Sequence, residues 1–403
     1  MTDGIMNGLG TLSLRRASKA SHTCTLPMPL VPIPTKPIAG SYDFYHVNVI
    51  VSGVLALFST FVMLALVWRH ATKMSRPREQ LYIIRICLFI PILAIGLWVA
   101  ILVPRTFVYL DSIINIFEAI TLTCFFLFIC EILASPPSSA TPSSPPSRRA
   151  LFLSPLVTKA QRQNLPLTSG SIFNIFRRNW IGVAQCVPVA LVVAVAAVAT
   201  EAAGVYCLTA HDAHHAHIYL VVVRTISTFS ALVGVLRTTL PLRAELKQHR
   251  AITKLWAFKA LIFLQVVQDL AFSVLDSVAP DSVTNSEVLS EVDFLVGLPS
   301  LLVEAELVLF ALFFHYAYSV SLYELSDEQQ RAGARYAGYG WRLIPEIFKI
   351  RNLPVLIWFA FHIREEAEIH ESETRSQGHL LSELPRGRHE RLGSSSTQGS
   401  RGK

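Results

Sequence analysis

Charged and amide side chains inside long apolar runs are the residues of this chain that could do chemistry. The run from Leu255 to Ala279 contains the stretch KALIFLQVVQD (259–269), in which Gln265 lies one helical turn before Asp269 and on the same face. A charge near the centre of a bilayer costs about 2.5–3.5 kcal/mol on insertion scales, so such groups face the bundle interior and tend to pair. The candidate substrate-binding residues chosen on this basis are Glu118, Arg224, Gln265, Gln268, Asp269 and Glu306.

These side chains support two interpretations. Acids outnumber bases in the middle of the apolar runs, and unpaired acids there need water, protons or a cationic or hydroxylated ligand. This favours a polar cavity that receives a solute or a proton. The alternative is structural, with Arg224 and an acid holding two helices together. Glu304 and Glu306 cannot both point into one cavity, because two residues turn a helix by about 200°.

The sequence lacks the residues that other classes of seven-helix and ATP-driven membrane proteins need for their function. The last apolar run has no lysine for a retinal Schiff base, the stretch FICEILA replaces the Asp-Arg-Tyr-like triplet of common receptors, and no nucleotide-phosphate loop occurs. The loop HDAHHAH (211–217) is interpreted as solvated, since no further ligands surround its imidazoles. No CxxC pair marks a zinc or redox site. We therefore expect no enzyme activity, cofactor, metal site or nucleic-acid partner.

The elements that position these residues are predicted to be transmembrane helices. Hydrophobic residues make up 52% of the 403 positions and charged residues 16%, against about 25% charged residues in soluble domains. A bilayer core is crossed by about 20 apolar residues of helix. Seven segments qualify: 46–68, 81–103, 107–133, 181–205, 217–239, 255–279 and 293–320. The predicted fold is therefore all-α, a polytopic seven-transmembrane-helix bundle.

Loop charges predict the orientation of this bundle. Lysine and arginine concentrate in the first, third and fifth loops between the predicted helices, whereas the alternate loops hold almost none. The fifth loop, for example, contains Arg243, Lys247, Arg250 and Lys254. By the positive-inside rule the basic loops are cytosolic, which puts the N-terminus outside and the C-terminus inside.

The flanking segments have a different composition. We predict an extracytoplasmic disordered tail over 1–45, a seven-helix domain over 46–320 with a Pro/Ser-rich cytosolic linker at 134–180, and a cytosolic tail over 321–403. Segment 341–363 is apolar in patches and too short to span, so it either lies along the cytosolic membrane surface or packs beneath the bundle. Cys24 and Cys207 both fall on the predicted external side, where a disulfide is chemically feasible.

Five stretches in the same order resemble one family. They are RPREQLYIIRICLFIPILAI (76–95), YLDSIINIFEAI (109–120), EAAGVY (201–206), LRAELKQHRAITKLWAFKALIFLQVVQ (242–268) and EAELVLFALFFHYAYS (304–319). Together they look like the organic solute transporter alpha-subunit (Ost-alpha) family, in the form of its fungal and plant members. The resemblance implies a seven-helix membrane protein with an external N-terminus. In animal members it implies export of bile acids and steroid conjugates with a beta partner.

The expected function is facilitated movement of an amphipathic organic solute, sterol-, steroid- or lipid-like, along a polar track through Glu118, Asp269 and Glu306. A seven-helix receptor or trafficking scaffold without transport activity is the alternative. Expected partners are membrane lipid and the solute, and either a homo-oligomer or a small single-span subunit is compatible with the sequence. The chain is expected to be a multi-pass integral membrane protein, with the plasma membrane and the vacuolar or other endomembranes both open.

Overall fold

The structure, a computed structural model, describes residues 35–134, 147–208, 214–278, 287–338, 343–348 and 352–383. Its helices are α1 (Phe44–Thr72), α2 (Pro77–Cys87), α3 (Phe89–Leu102), α4 (Phe107–Ala134), α5 (Arg148–Gln163), α6 (Gly170–Ala184), α7 (Cys186–Ala202), α8 (Ala216–Thr239), α9 (Arg243–Leu246), α10 (Ala251–Val278), α11 (Leu298–Ala317), α12 (Asp327–Arg331), α13 (Leu343–Phe348) and α14 (Asn352–Glu383). Within those ranges, extended backbone pairs only in an isolated bridge between Ala39 and Tyr42.

Seven helical segments of the described chain are long and apolar enough to cross a bilayer. They are Phe44–Thr72, Pro77–Leu102, Pro104–Ala134, Gly170–Ala202, Ala216–His249, Ala251–Phe272 and Asp293–Tyr323. Each contains most of one predicted span, so the predicted all-α, seven-transmembrane fold is confirmed. The side of the membrane on which each terminus lies stays a prediction from the loop charges.

Prolines explain why two of these spans are broken. α2 ends at Cys87 and α3 begins at Phe89, four and two residues before Pro91. α6 and α7 meet in the same way ahead of Pro188. Proline lacks an amide hydrogen and its ring clashes with the carbonyl four residues earlier, which disrupts the helix there. The seventh span starts with a π-helical segment, Asp293–Gly297, whose Gly297 carbonyl accepts a hydrogen bond from Asn48 at 2.9 Å.

Helix α4 lies at the centre of the bundle. It packs against α2, α3, α5 and α7, and its buried rings Phe125, Phe126 and Phe128 belong to the main core. On one side, α1 packs between α3 and α11, and α10 lies along α11. On the other side, α8 packs along α6 and α7. In the part of the chain that the structure describes, α8 and α10 share no extended interface.

The α6–α8 crossing is unusually close because glycines form part of it. A Cβ added at Gly234 of α8 would lie 2.7 Å from the carbonyl oxygen of Asn179 in α6. A Cβ at Gly182 of α6 would lie 3.0 Å from the carbonyl oxygen of Ser230 in α8. Small residues at both contact points let the two backbones approach, as in other membrane helix pairs.

Contacts at the two ends of the bundle show that the spans alternate in direction. At one end Tyr45 donates to the Leu102 carbonyl at 2.9 Å, joining the start of α1 to the end of α3. At the other end His70 contacts the Tyr318 carbonyl at 2.8 Å, joining the end of α1 to the end of α11. The second end carries the basic loops 69–78 and 243–250 and is called the basic end below.

The predicted linker at 134–180 contains ordered helix. Ser147 caps α5 by accepting from the Ala150 amide at 3.2 Å, and Ser154 of α5 donates to the Cys130 carbonyl of α4 at 2.8 Å. The fourth span begins at Gly170, inside the same predicted linker. Residues 135–146, which hold most of the Pro/Ser repeat, lie outside the described residues.

The chain after the seventh span returns to the basic end of the bundle. Leu356 and Phe359 of α14 are buried, and Trp180 of α6 donates to the Leu356 carbonyl at 3.1 Å. Arg149 of α5 pairs with Glu366 and Glu373 of α14, and these carboxylates raise the pKa of its guanidinium. Segment 341–363 therefore packs on α5 and α6, while its relation to the membrane surface stays a prediction.

Three further sequence expectations concern the loops and the N-terminal tail. Cys207 is disulfide-bonded, and its expected partner Cys24 lies outside the described residues, as does most of the predicted tail 1–45. Residues 211–213 of the HDAHHAH loop are also outside them. Among the residues that are described, no group of three or more His, Cys, Asp or Glu side chains could hold a metal ion.

Candidate functional site

An ion pair between α4 and α8 is the centre of the first polar site. Arg224 of α8 donates to Oδ2 of Asp111 at 3.1 Å, and Asn115 donates to the same oxygen at 2.9 Å. Asp111 and Asn115 are four residues apart in α4 and so lie on one face. The side chains of Arg224 and Asp111 keep 26% and 35% of their surface exposed, which leaves both charges within reach of a ligand.

A cavity adjoins this pair, and we call it the ion-pair pocket. The empty space of this shallow cleft, open solvent included, is about 350 Å³, and Asp111, Asn115 and Arg224 form its polar side. The opposite wall comes from α7, where the lining residues are Ala190, Val193, Ala194 and Ala197. The small side chains of these alanines leave room for the cavity between α7 and α4.

Tyr206 closes the end of the ion-pair pocket next to the α7–α8 loop. Its hydroxyl is buried, and burial raises its pKa well above the usual value for tyrosine. The ring also packs edge-on against His217, with centroids 5.0 Å apart. Tyr206 therefore offers the pocket a neutral hydroxyl group at physiological pH.

Glu118 extends the polar face of α4 towards the middle of the bundle. It follows Asn115 by three residues and Asp111 by seven, which puts all three on one stripe of the helix. The structure places Glu118 in a half-buried position. The stripe runs from the ion-pair pocket to the depth at which the predicted track was expected.

A second polar contact joins α10 to α11. Gln268 is buried and donates a hydrogen bond to one carboxylate oxygen of Glu306. The other carboxylate oxygen and the amide oxygen of Gln268 are buried without a hydrogen-bond partner in the described part of the chain. Gln265 is half-buried one turn away. Asp269 belongs to α10, but its side chain lies outside what the structure describes.

The predicted site residues therefore fall into two groups. Arg224 lies in the ion-pair pocket with Glu118 on the stripe below it, whereas Gln268 and Glu306 form their own pair. Among the described residues the helices that carry the two groups, α8 and α10, share no extended interface. Exposed apolar residues on these helices include Phe229 of α8 and Leu270 of α10.

The comparisons with known proteins bear on what this architecture does. The family described as "Organic solute transporter Ostalpha" matches residues 48–323. The chain belongs to this family. The match covers all seven spans and ends within the turn that follows α11, so the Ost-alpha domain is the bundle itself.

Two curated relatives show how far the Ost-alpha likeness extends. The chain is 22% identical to Protein LAZ1 of Arabidopsis thaliana over 237 residues, which is 56% of this chain and 48% of LAZ1. It is 24% identical to the Transmembrane protein 184 homolog DDB_G0276041 of Dictyostelium discoideum over 255 residues, 60% of this chain and 48% of that protein. The matched region thus spans about half the length of these relatives. No solved structure matches.

The Ost-alpha bundle also contains a polar cluster at its basic end that the sequence did not point to. Glu79 is buried and pairs with Arg76 at 3.2 Å, and Tyr323 donates to its second oxygen at 3.2 Å. Lys254 was predicted to lie in a loop, but α10 begins at Ala251 and the lysine is fully buried. Its Nζ lies 4.8 Å from the ring centre of Phe128 and has no hydrogen-bond partner in the described part of the chain.

Glu304 is a second buried charged residue that was not among the predicted substrate-binding residues. Its side chain is fully buried in α11, and neither carboxylate oxygen has a hydrogen-bond partner among the described residues. Glu306 is only half-buried and faces α10, so the two glutamates point in different directions, as the helical repeat predicts. The sequence could have indicated this, because Glu304 lies two residues before Glu306 in α11 and must therefore point in another direction.

Proposed function

We propose that this Ost-alpha protein moves amphipathic organic solutes, of sterol, steroid or lipid type, through the membrane. The ion-pair pocket is the observation that carries the proposal. It combines a polar side, formed by Asp111, Asn115 and Arg224, with an apolar alanine wall. A ligand with one polar end and a flat apolar body matches both sides at once.

The charge balance of the pocket favours a hydroxylated or zwitterionic polar end. Arg224 is already neutralised by Asp111, so the site offers hydrogen bonds without a large net charge. The guanidinium, the Asn115 amide and the Tyr206 hydroxyl are the available donors, and the Asp111 carboxylate accepts. An anionic conjugate would compete with Asp111 for Arg224.

A lateral route for the apolar part of the solute belongs to the same proposal. Since α8 and α10 share no extended interface among the described residues, we propose that solute enters sideways from the bilayer between them. Glu118, Gln265, Gln268, Asp269 and Glu306 would then contact its polar groups on the way. The proposed role is non-enzymatic. A homo-oligomer or a small single-span subunit, which the Ost-alpha resemblance suggests, would act as partner.

A receptor or scaffold role without transport is the second candidate. One observation favours it: Arg224 and Asp111 already join α8 to α4, which is the contact that a purely structural ion pair would make.

Reconstitution of the full chain into liposomes with a labelled steroid sulfate and a labelled uncharged sterol separates the two roles. Saturable flux that R224Q and E118Q reduce to the level of empty liposomes would support transport. R105Q is the matched control, because Arg105 is exposed in the α3–α4 turn and lines no pocket. No flux of either solute with the wild-type chain correctly folded would favour the scaffold. Wild-type flux that R224Q leaves unchanged would show that the ion-pair pocket does not lie on the transport route.

A further inference from the structure

A second cavity lies at the basic end, between α5, α6 and α8. The empty space of this shallow cavity, open solvent included, is about 280 Å³. Its apolar lining includes Leu156, Ile172 and Phe176, and two cations, Lys159 of α5 and Arg237 of α8, also border it. We call it the lysine–arginine pocket.

Buried polar groups contribute to this pocket as well. Asn179 and Thr238 are 5% and 7% exposed, and both line the cavity. The Asn179 amide donates to the Thr238 hydroxyl at 3.4 Å, which in turn donates to the Gly234 carbonyl at 2.9 Å. The second amide hydrogen of Asn179 is left for a ligand.

The two cations have no acidic partner. In the described part of the chain, neither Lys159 nor Arg237 forms an ion pair or a side-chain hydrogen bond, and no carboxylate lines the cavity. The neighbouring Glu245 is within 3.8 Å of Arg162, which also donates to the Pro241 carbonyl at 3.0 Å. Two unpaired cations beside a partly apolar cavity leave a positive site that is not neutralised from within.

The position of the pocket indicates where its ligand comes from. Arg237 lies in the last turn of α8, and the exposed apolar residues Phe229 and Ile226 lie about two and three turns earlier on the same helix. After Arg237, the next exposed residue towards the basic end is Leu240. A ligand that reaches the pocket from the acyl-chain region thus meets apolar walls first and the two cations at the membrane–water boundary.

We infer that the lysine–arginine pocket binds the phosphoryl headgroup of an anionic membrane lipid. The phosphate would lie between Lys159 and Arg237 with the Asn179 amide as a further donor, and the acyl chains would run along α8. Basic pockets between transmembrane helices on the cytosolic side recognise such headgroups. This site is separate from the ion-pair pocket, since the two share no lining residue.

Lipid binding to the purified full chain tests the inference. The chain is placed in phosphatidylcholine nanodiscs doped with phosphatidylinositol 4-phosphate, and bound anionic lipid is measured by native mass spectrometry. Each interfacial cation contributes about 1 kcal/mol, so K159Q/R237Q is expected to weaken binding about 30-fold and R237Q alone about fivefold. R177Q/R178Q, which removes two exposed cations of α6 outside the pocket, is expected to stay within about twofold of wild type.

Competition arms distinguish a lipid from a free phosphate. Inorganic phosphate and soluble inositol 1,4-bisphosphate are added to the same nanodiscs, and the lipid is expected to resist both. Displacement by either compound at concentrations similar to the lipid would assign the site to a soluble phosphate and overturn the lipid inference. Equal lipid binding by wild type, R237Q and K159Q/R237Q would overturn the site itself. Because Arg237 is exposed, R237Q provides a folded variant even if the double substitution perturbs packing.

Discussion

The two pockets of this bundle handle their cations in opposite ways. In the ion-pair pocket Arg224 is paired with Asp111, and Asn115 completes the contact. In the lysine–arginine pocket, no carboxylate of the described chain lines the cavity beside Lys159 and Arg237. Pairing lowers the cost of holding charge at membrane depth and leaves a nearly neutral surface for an exchanging solute. Unpaired cations near the headgroups are solvated there and remain available to an anion.

The two pockets also differ in the size of the side chains that line them. Alanines of α7 form one side of the ion-pair pocket, whereas the lysine–arginine pocket is lined by larger residues such as Phe176 and Leu156. A wall of small residues suits a solute that passes, and tight apolar walls suit a lipid that stays. We therefore expect the first pocket to control flux and the second to control lipid retention.

Removing the paired arginine is the strongest way to break this comparison. R224Q leaves Asp111 without its cation in a half-buried site, so we expect steroid flux to fall at least tenfold. The double variant D111N/R224Q removes both charges and should recover protein yield and thermal stability. It should not recover flux. Full flux in the double variant would mean that the pair only joins helices.

The α6–α8 crossing is expected to give the next largest effect, on stability. G234A introduces a methyl group 2.7 Å from the Asn179 carbonyl oxygen, so we expect a loss of about 1–3 kcal/mol in unfolding free energy. G170A is the control, because a Cβ there meets no atom within 4 Å. Thermal denaturation in detergent compares the two variants. Asn179 also lines the lysine–arginine pocket, and lipid retention should fall together with stability in G234A only.

We expect ionic strength to affect ligand binding at the two pockets to different extents, with a smaller effect than the substitutions above. Raising salt from 0.1 to 1 M shortens the Debye length from about 10 Å to about 3 Å. Lipid binding at the partly exposed Lys159 and Arg237 is expected to weaken several-fold, whereas uptake of an uncharged sterol through the ion-pair pocket should change less than twofold. Parallel measurements in one nanodisc and one liposome preparation provide the comparison. Equal salt sensitivity would show that the pockets do not differ in charge as described.

Filling the alanine wall is expected to have the smallest effect. A194L places a larger side chain in the ion-pair pocket, and we expect flux of a bulky steroid to fall about threefold to fivefold with less change for a smaller solute. V192L is the matched control, since Val192 is exposed on the same helix and lines no pocket. A uniform loss for solutes of every size would indicate disturbed α4–α7 packing instead of a size filter.

Much of the architecture could be predicted because it is local in sequence. The length and hydropathy of each apolar run give the seven spans, and Pro91 and Pro188 mark the helix breaks since proline acts on its own turn. The stripe of Asp111, Asn115 and Glu118 likewise follows from the helical repeat. Nothing beyond neighbouring residues is needed for any of these features.

The partners of the polar side chains could not be predicted in the same way. Arg224 and Asp111 are 113 positions apart, and Gln268 and Glu306 are 38 apart, so their contacts depend on which helices pack together. Lys254 was expected in a loop because the predicted span began at residue 255, yet the packing of Tyr318 and Phe128 around it buries it completely. The packing of α14 on α5 and α6 likewise joins residues that are far apart in the sequence and could not be predicted from it.

The sequence by itself determined that this chain crosses the membrane seven times and carries more polar groups in those spans than lipid contact would allow. That follows from the free energy of transferring residues into a bilayer, which is a property of each segment alone. Only the tertiary structure decided how these groups pair, with Arg224 of α8 on Asp111 of α4 and Gln268 of α10 on Glu306 of α11. Pairing depends on helix rotation and neighbour choice, and these are set by close packing at residues such as Gly182 and Gly234 that carry no charge.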